Sequence, residues 1–155
     1  MAGDHVRSMD ATDALVLAIH LTATAAMTGL IWFVQVVHYP LFTAVGTDGF
    51  PRYETQHQQR TSFVVGPFMA IEGGLGLWLL AAPPDGLGRA LPFVGCVLLA
   101  AIHASTVLLQ VPAHGRLGSG YDATVVRRLV RTNWIRTAGW SARAVVAVAM
   151  VTVAA

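Results

Sequence analysis

The stretch AIHLTATAAMTGLIWFVQVVHYPLF, residues 18–42, decides the class of fold. It contains no Asp, Glu, Lys or Arg and belongs to an apolar run. The run is long enough to cross a bilayer, for which about 20 residues suffice. Within it, His20, Thr24, Thr28, Ile31, Gln35 and His38 follow one another in steps of 4, 4, 3, 4 and 3, and all but one are polar. Residues three and four apart share one face of a helix. Polar groups facing lipid would go unpaired, so such a face turns inward. The stretch therefore predicts a transmembrane helix with a polar stripe. Gln35 and His38 continue that stripe instead of marking a helix end that merely meets water.

The rest of the 155-residue chain agrees. Hydrophobic residues make up 55% and charged residues 12%, against about 25% charged in soluble domains. Mean hydropathy is +0.59. All ten basic residues are arginine and the net charge is only +2. No nucleic-acid-binding motif accompanies them, so no nucleic-acid partner is expected. The single cysteine, Cys96, excludes an intramolecular disulfide framework and a multi-cysteine metal site. The opening MAGDHVRSMDATD carries three aspartates, and the apolar run after it exceeds a signal-peptide core. That run is expected to be retained as a first span.

Four segments are apolar enough to span: residues 14–37, 63–82, 90–111 and 133–155. The expectation is one all-α domain, an integral membrane four-helix bundle. Short amphipathic helices are expected in its two long connections, at FPRYETQHQQR and YDATVVRRLVR, and Pro112 is expected to close span three. Both connections fall on one side, called face A. Arg52, Arg60, Arg116, Arg127, Arg128 and Arg131 lie there, against Arg7 and Arg89 opposite. The positive-inside rule then places face A in the cytoplasm and both termini outside, as in a bacterial plasma membrane.

Every span carries polar residues. Cys96, Leu99, His103, Thr106 and Gln110 share a face in span three, and Asn133, Arg136, Trp140 and Arg143 share one in span four. Span two holds Glu72, followed by GGLG, whose small residues allow close helix approach. Counted from the expected span ends, Glu72, His103 and Arg143 lie at one depth, roughly 13–15 Å below face A. His20 lies lower, outside that group. His38, His57 and His114 form an upper tier with Gln110, Asn133 and Arg136.

Two readings of Glu72 stand side by side. It pairs with Arg143 and fixes helix register, or it carries protons at a functional site. In the functional reading, Glu72 and His103 handle protons while Arg136 and Arg143 stabilise developing negative charge. His38, His57 and His114 would ligate iron, copper or zinc, or two histidines would ligate a haem. Gln35, Gln110, Asn133 and Trp140 would line a substrate pocket.

The segments VPAHGRLGSG and LVRTNWIRTAGWSAR add a resemblance. Pro112, Leu117, Asn133, Trp134 and Arg136 resemble, in kind and position, the elements around spans three and four of a small four-span membrane family. That family includes the fungal anthrone oxygenases. His114 stands where the family typically has asparagine, and HYPLF and YETQHQQR are richer in histidine. The resemblance covers the last third of the chain. It implies a four-helix membrane bundle and oxidation of an aromatic or polyketide-like substrate. A second similarity, to small haem-binding membrane protoporphyrinogen oxidases, has no residue-by-residue match.

The expected function is thus an oxidoreductase or oxygenase for a hydrophobic aromatic or isoprenoid-like molecule entering from the lipid bilayer. The alternatives are a non-enzymatic accessory or transport-related subunit and a haem- or quinone-binding electron carrier. A homo-oligomer that shares the polar stripes is also compatible with the sequence.

Overall fold

The computed structural model describes residues 10–155; the expectations for the opening segment, including Arg7, fall largely outside them. The described residues contain helices and no strand. Helix α1 spans Ala11–Phe33, continues as a π-helical turn, Val34–His38, and ends in a 3₁₀ turn, Pro40–Ala44. Helix α2 spans Phe50–Ala81. Helix α3, Ala90–Ser105, runs through a second π turn, Thr106–Gln110, into α4, Val111–Leu117. Helix α5 spans Ala123–Ala154, capped by Asp122, whose carboxylate accepts from the Thr124 and Val125 amides.

Four helical units are long and apolar enough to cross a membrane. Their outer surface is apolar, with Phe63 81%, Leu108 70% and Val145 70% exposed. Large exposed apolar surface of this kind suits lipid, not water. Helix α1 packs on α2 and α5, and α3 packs on the same two, so α1/α3 and α2/α5 are the diagonals of a square. Each neighbour pair is antiparallel, the up-down-up-down arrangement of short-loop bundles.

Two expectations about boundaries need correction. The predicted amphipathic helices are not separate elements. FPRYETQHQQR is the first part of α2, and YDATVVRRLVR leads into and opens α5. Both helices have 32 residues, roughly 48 Å at 1.5 Å per residue. They exceed the roughly 30 Å hydrocarbon core and rise beyond it at face A. Nor does Pro112 end span three. It sits in the first turn of α4, where its missing N–H is tolerated, directly after the π turn. Pro40 follows the π turn of α1 in the same way. The two π turns begin 72 positions apart, and both halves of the chain share this plan of π turn, proline and 32-residue helix.

The apolar core has two parts. A large cluster near face A centres on Met27, Ile31, Phe42, Phe50, Ile102, Leu117, Leu129 and Trp140. A smaller one at the opposite end gathers Leu17, Leu79, Leu87 and Met150. Of the glycines in GGLG, only Gly76 meets neighbours, the Arg143 side chain and Cys96 Sγ of α3; Gly73 and Gly74 face open space. A closer helix approach occurs elsewhere. A Cβ on Gly139 would stand 2.7 Å from Ile102 Cγ1, so α5 and α3 meet there.

Candidate functional site

Polar side chains inside the bundle fall into two tiers. The lower tier is built around Arg143 of α5, which is fully buried. Its Nε donates to Glu72 of α2, and one terminal nitrogen donates to the Gly95 carbonyl of α3. The other donates to His20 Nε2 of α1 at 3.0 Å. Thr24 of α1 donates to the second oxygen of Glu72. One guanidinium thereby ties α5 to all three other spans, including the diagonal partner that its backbone does not touch. Glycine makes the space. A Cβ at Gly95 would stand 3.1 Å from one terminal nitrogen, and a Cβ at Gly76 3.3 Å from the other.

This tier differs from the predicted one. His20, expected outside the group, is inside it, 3.7 Å from Glu72. His103, expected within it, turns Nδ1 to the Leu99 carbonyl of its own helix at 2.8 Å. Among the described residues no hydrogen bond or ion pair joins His103 to Glu72. The cause is the helix boundaries. Glu72 lies 22 residues below the true start of α2 and Arg143 20 below that of α5, but His103 only 14 below the end of α4. Neither of the two cavities described below is lined by Glu72, Arg143, His20 or Thr24.

The upper tier forms where α1, α2, α4 and α5 meet at face A. Glu54, buried to 0% exposure, accepts from His114 Nδ1 at 2.6 Å. When its carboxylate is ionised, Glu54 can only accept, so Nδ1 is then the donor and Nε2 is left to accept. The Tyr39 hydroxyl lies 2.9 Å from that Nε2. Glu54, His114 and Tyr39 thus form a carboxylate–imidazole–phenol chain. Gln58 holds it from the side, donating to Glu54 at 3.0 Å and to the His114 carbonyl at 3.2 Å. Arg136 neighbours the Tyr39 hydroxyl. Next to this chain, His38 Nε2 and His57 Nδ1 are 2.8 Å apart, and the His57 and His114 rings are separated by 5.3 Å.

The three upper histidines do converge, but not as a ligand set. Among the described residues, no group of three or more His, Cys, Asp or Glu is arranged to hold a metal ion. Both nitrogens of His114 are engaged by Glu54 and Tyr39, and His38 and His57 point nitrogens at each other. The same pairings leave His38 and His57 turned towards one another, not towards the two sides of a haem.

A cavity of about 290 Å³ adjoins the chain, bounded by Tyr39, His57, Gln58, Met69, Gln110, His114 and Arg136 among others. Two of the residues that bound it carry a buried atom without a partner, Arg136 Nε and Gln110 Oε1. A buried polar group without a partner costs about 1–3 kcal/mol. Glu54 Oε2 is also unpaired. Of the other predicted pocket residues, Gln35 and Asn133 bind each other at 3.0 Å, and Asn133 accepts from Arg136 at 3.2 Å. They tie α1 to α5 and orient Arg136. Trp140 is buried in the apolar core with its Nε1 unpaired, and it does not line this cavity.

Sequence reading passed over Glu54. It treats FPRYETQHQQR as a helix separate from the span that holds Glu72. Because α2 is continuous, the inward face can be traced back from Glu72 through Met69, Val65, Thr61 and Gln58 in steps of three and four, and it arrives at Glu54.

Fold and site together define an integral membrane four-helix bundle with a sealed ionic centre and a polar site open at one end. The chain matches no protein-family model, no curated protein and no solved structure.

Proposed function

We propose that the face-A tier is an acid–base site that takes a proton from a hydrophobic aromatic molecule bound in the adjoining cavity. The observation that carries this reading is the Glu54–His114–Tyr39 chain ending in a cavity wall beside Arg136. In such a chain the carboxylate orients the imidazole and stabilises its protonated form, while the imidazole takes the proton through the phenol or directly from the substrate. Arg136 then stands where anionic charge on a phenolate or enolate develops. A deprotonated hydroxyaromatic is electron-rich, and its reaction with dioxygen is the finer form of this proposal. The resemblance to the anthrone-oxygenase-containing family supports that form. The arginine distribution supports face A on the cytoplasmic side.

The lower tier has a different job in this proposal. A fully bonded, closed ion pair explains mid-bundle charge by register alone.

The test uses anthrone deuterated at its methylene carbon, with the full chain in detergent micelles. Deuterium loss is followed by mass spectrometry and dioxygen uptake by an electrode. The intact protein is expected to accelerate exchange over empty micelles. Tyr39→Phe and His114→Gln are expected to lose about 10²–10⁴ of that acceleration, the usual range for positioned acid–base groups. Exchange no faster than in empty micelles would contradict the proposal. Exchange without dioxygen uptake would retain the acid–base site and remove the oxygenase form.

A further inference from the structure

A second cavity, of about 360 Å³, lies between α1 and α2 and shares only His57 and Thr61 with the first. We infer that it binds a single-chain anionic amphiphile, a carboxylate of the fatty-acid type, taken up sideways from the bilayer. This inference does not rest on the acid–base proposal, because neither Tyr39, His114 nor Arg136 lines the cavity.

The cavity is graded along the membrane normal. Its deeper end is apolar, formed by Leu30, Phe33, Val34 and Val64. Its end towards face A carries Gln56, His57 and Arg60 from the rising part of α2. Val64 lies one turn below Arg60, about 6 Å along the axis. A molecule with its tail down and its head up matches this gradient and keeps the orientation that it has in the lipid leaflet. The opening is lateral, since Phe33 and Val64 are both exposed on the lipid-facing surface. The volume lies at the lower end of the roughly 300–1,000 Å³ typical of small-molecule sites. That scale favours one chain over a two-chain phospholipid.

Charge selects the head group. Arg60 is the only charged residue among those lining the cavity, and no ion pair engages it among the described residues. A guanidinium matches a carboxylate in two parallel hydrogen bonds. Gln56 adds a neutral donor beside it.

The experiment uses a diazirine-bearing fatty acid and the full chain in phosphatidylcholine nanodiscs, with cross-linked peptides mapped by mass spectrometry. Labelling is expected around residues 30–34 and 61–64 and is expected to be displaced by dodecanoate but not by dodecanol. Arg60→Gln, an exposed site that leaves the core intact, is expected to weaken labelling about tenfold, the scale of one charge-assisted hydrogen bond. Val64→Trp, which fills the tail end, is expected to abolish it. Equal displacement by dodecanol, or unchanged labelling in Arg60→Gln, would overturn the carboxylate assignment. Labelling spread evenly over lipid-facing helices would overturn the site. Displacement by phosphatidylglycerol nanodiscs would make the occupant a phospholipid and overturn the single-chain assignment.

Discussion

The lower and upper tiers hold similar residues in opposite states. Each has a buried carboxylate, a histidine, a hydroxyl and an arginine: Glu72, His20, Thr24 and Arg143 below; Glu54, His114, Tyr39 and Arg136 above. Below, both carboxylate oxygens and all three guanidinium nitrogens are bonded within the bundle, His20 Nδ1 alone is left unpaired in the tier, and none of its residues lines either cavity described above. Above, Glu54 Oε2, Arg136 Nε and Gln110 Oε1 remain unpaired, and Arg136 and Gln110 are among the residues that bound a cavity. Buried charge alone therefore does not mark a working site. Unspent hydrogen-bonding capacity on residues that border a cavity does.

The largest effect is expected from breaking the sealed tier. Arg143→Met leaves Glu72 buried without a cation and should destabilise the fold by about 3–5 kcal/mol. Unfolding in mixed micelles checks this. The double variant Glu72→Leu with Arg143→Met should recover much of the loss, since an apolar pair of similar volume replaces an ion pair at little cost.

Next come the contacts that place the arginine and close the bundle. Gly139→Ala puts a methyl against Ile102, and Gly95→Ala puts one against the Arg143 guanidinium. Each should lower stability by about 1–3 kcal/mol, the range for overpacked interiors. The comparison sharpens with Gly73→Ala as a control. It meets nothing within 4 Å and should stay within about 0.5 kcal/mol of the parent protein.

A smaller loss is expected at Asn133→Ala in the upper tier. It frees Gln35 and Arg136 from their shared partner and should cost about 1–2 kcal/mol in thermal unfolding. A still smaller effect is expected from His103→Ala. That ring bonds only to its own helix, so the change in stability should remain below about 1 kcal/mol.

These contrasts also show how far the sequence could be read. The four apolar runs and the inward turn of their polar residues follow from hydropathy and from steps of three and four. Glu72 and Arg143 were legible as partners for the same reason. What failed was depth. Phe63 and Asn133 mark where hydropathy rises, not where α2 and α5 begin, and Pro112 does not end its helix. Measured from those false ends, His103 fell level with Glu72 and His20 fell too low. The same break at Phe63 interrupted the inward stripe of α2 before it reached Glu54. The π turns at Val34–His38 and Thr106–Gln110 had no signature in hydropathy. A π turn adds a residue to the helical turn and so rotates the residues beyond it. Here that lets Gln35 bond α5 while His38 and Tyr39 meet α2 and α4.

The division of labour between the tiers is the central claim, and Glu54→Gln beside Glu72→Gln tests it most directly. Both variants replace a buried carboxylate by its isosteric amide. Unfolding midpoint and deuterium exchange from anthrone are measured for each in the same micelles. Glu72→Gln is expected to lower the midpoint and to retain exchange while folded; Glu54→Gln is expected to hold the midpoint and to lose exchange. Loss of exchange in folded Glu72→Gln, with exchange intact in Glu54→Gln, would contradict the account.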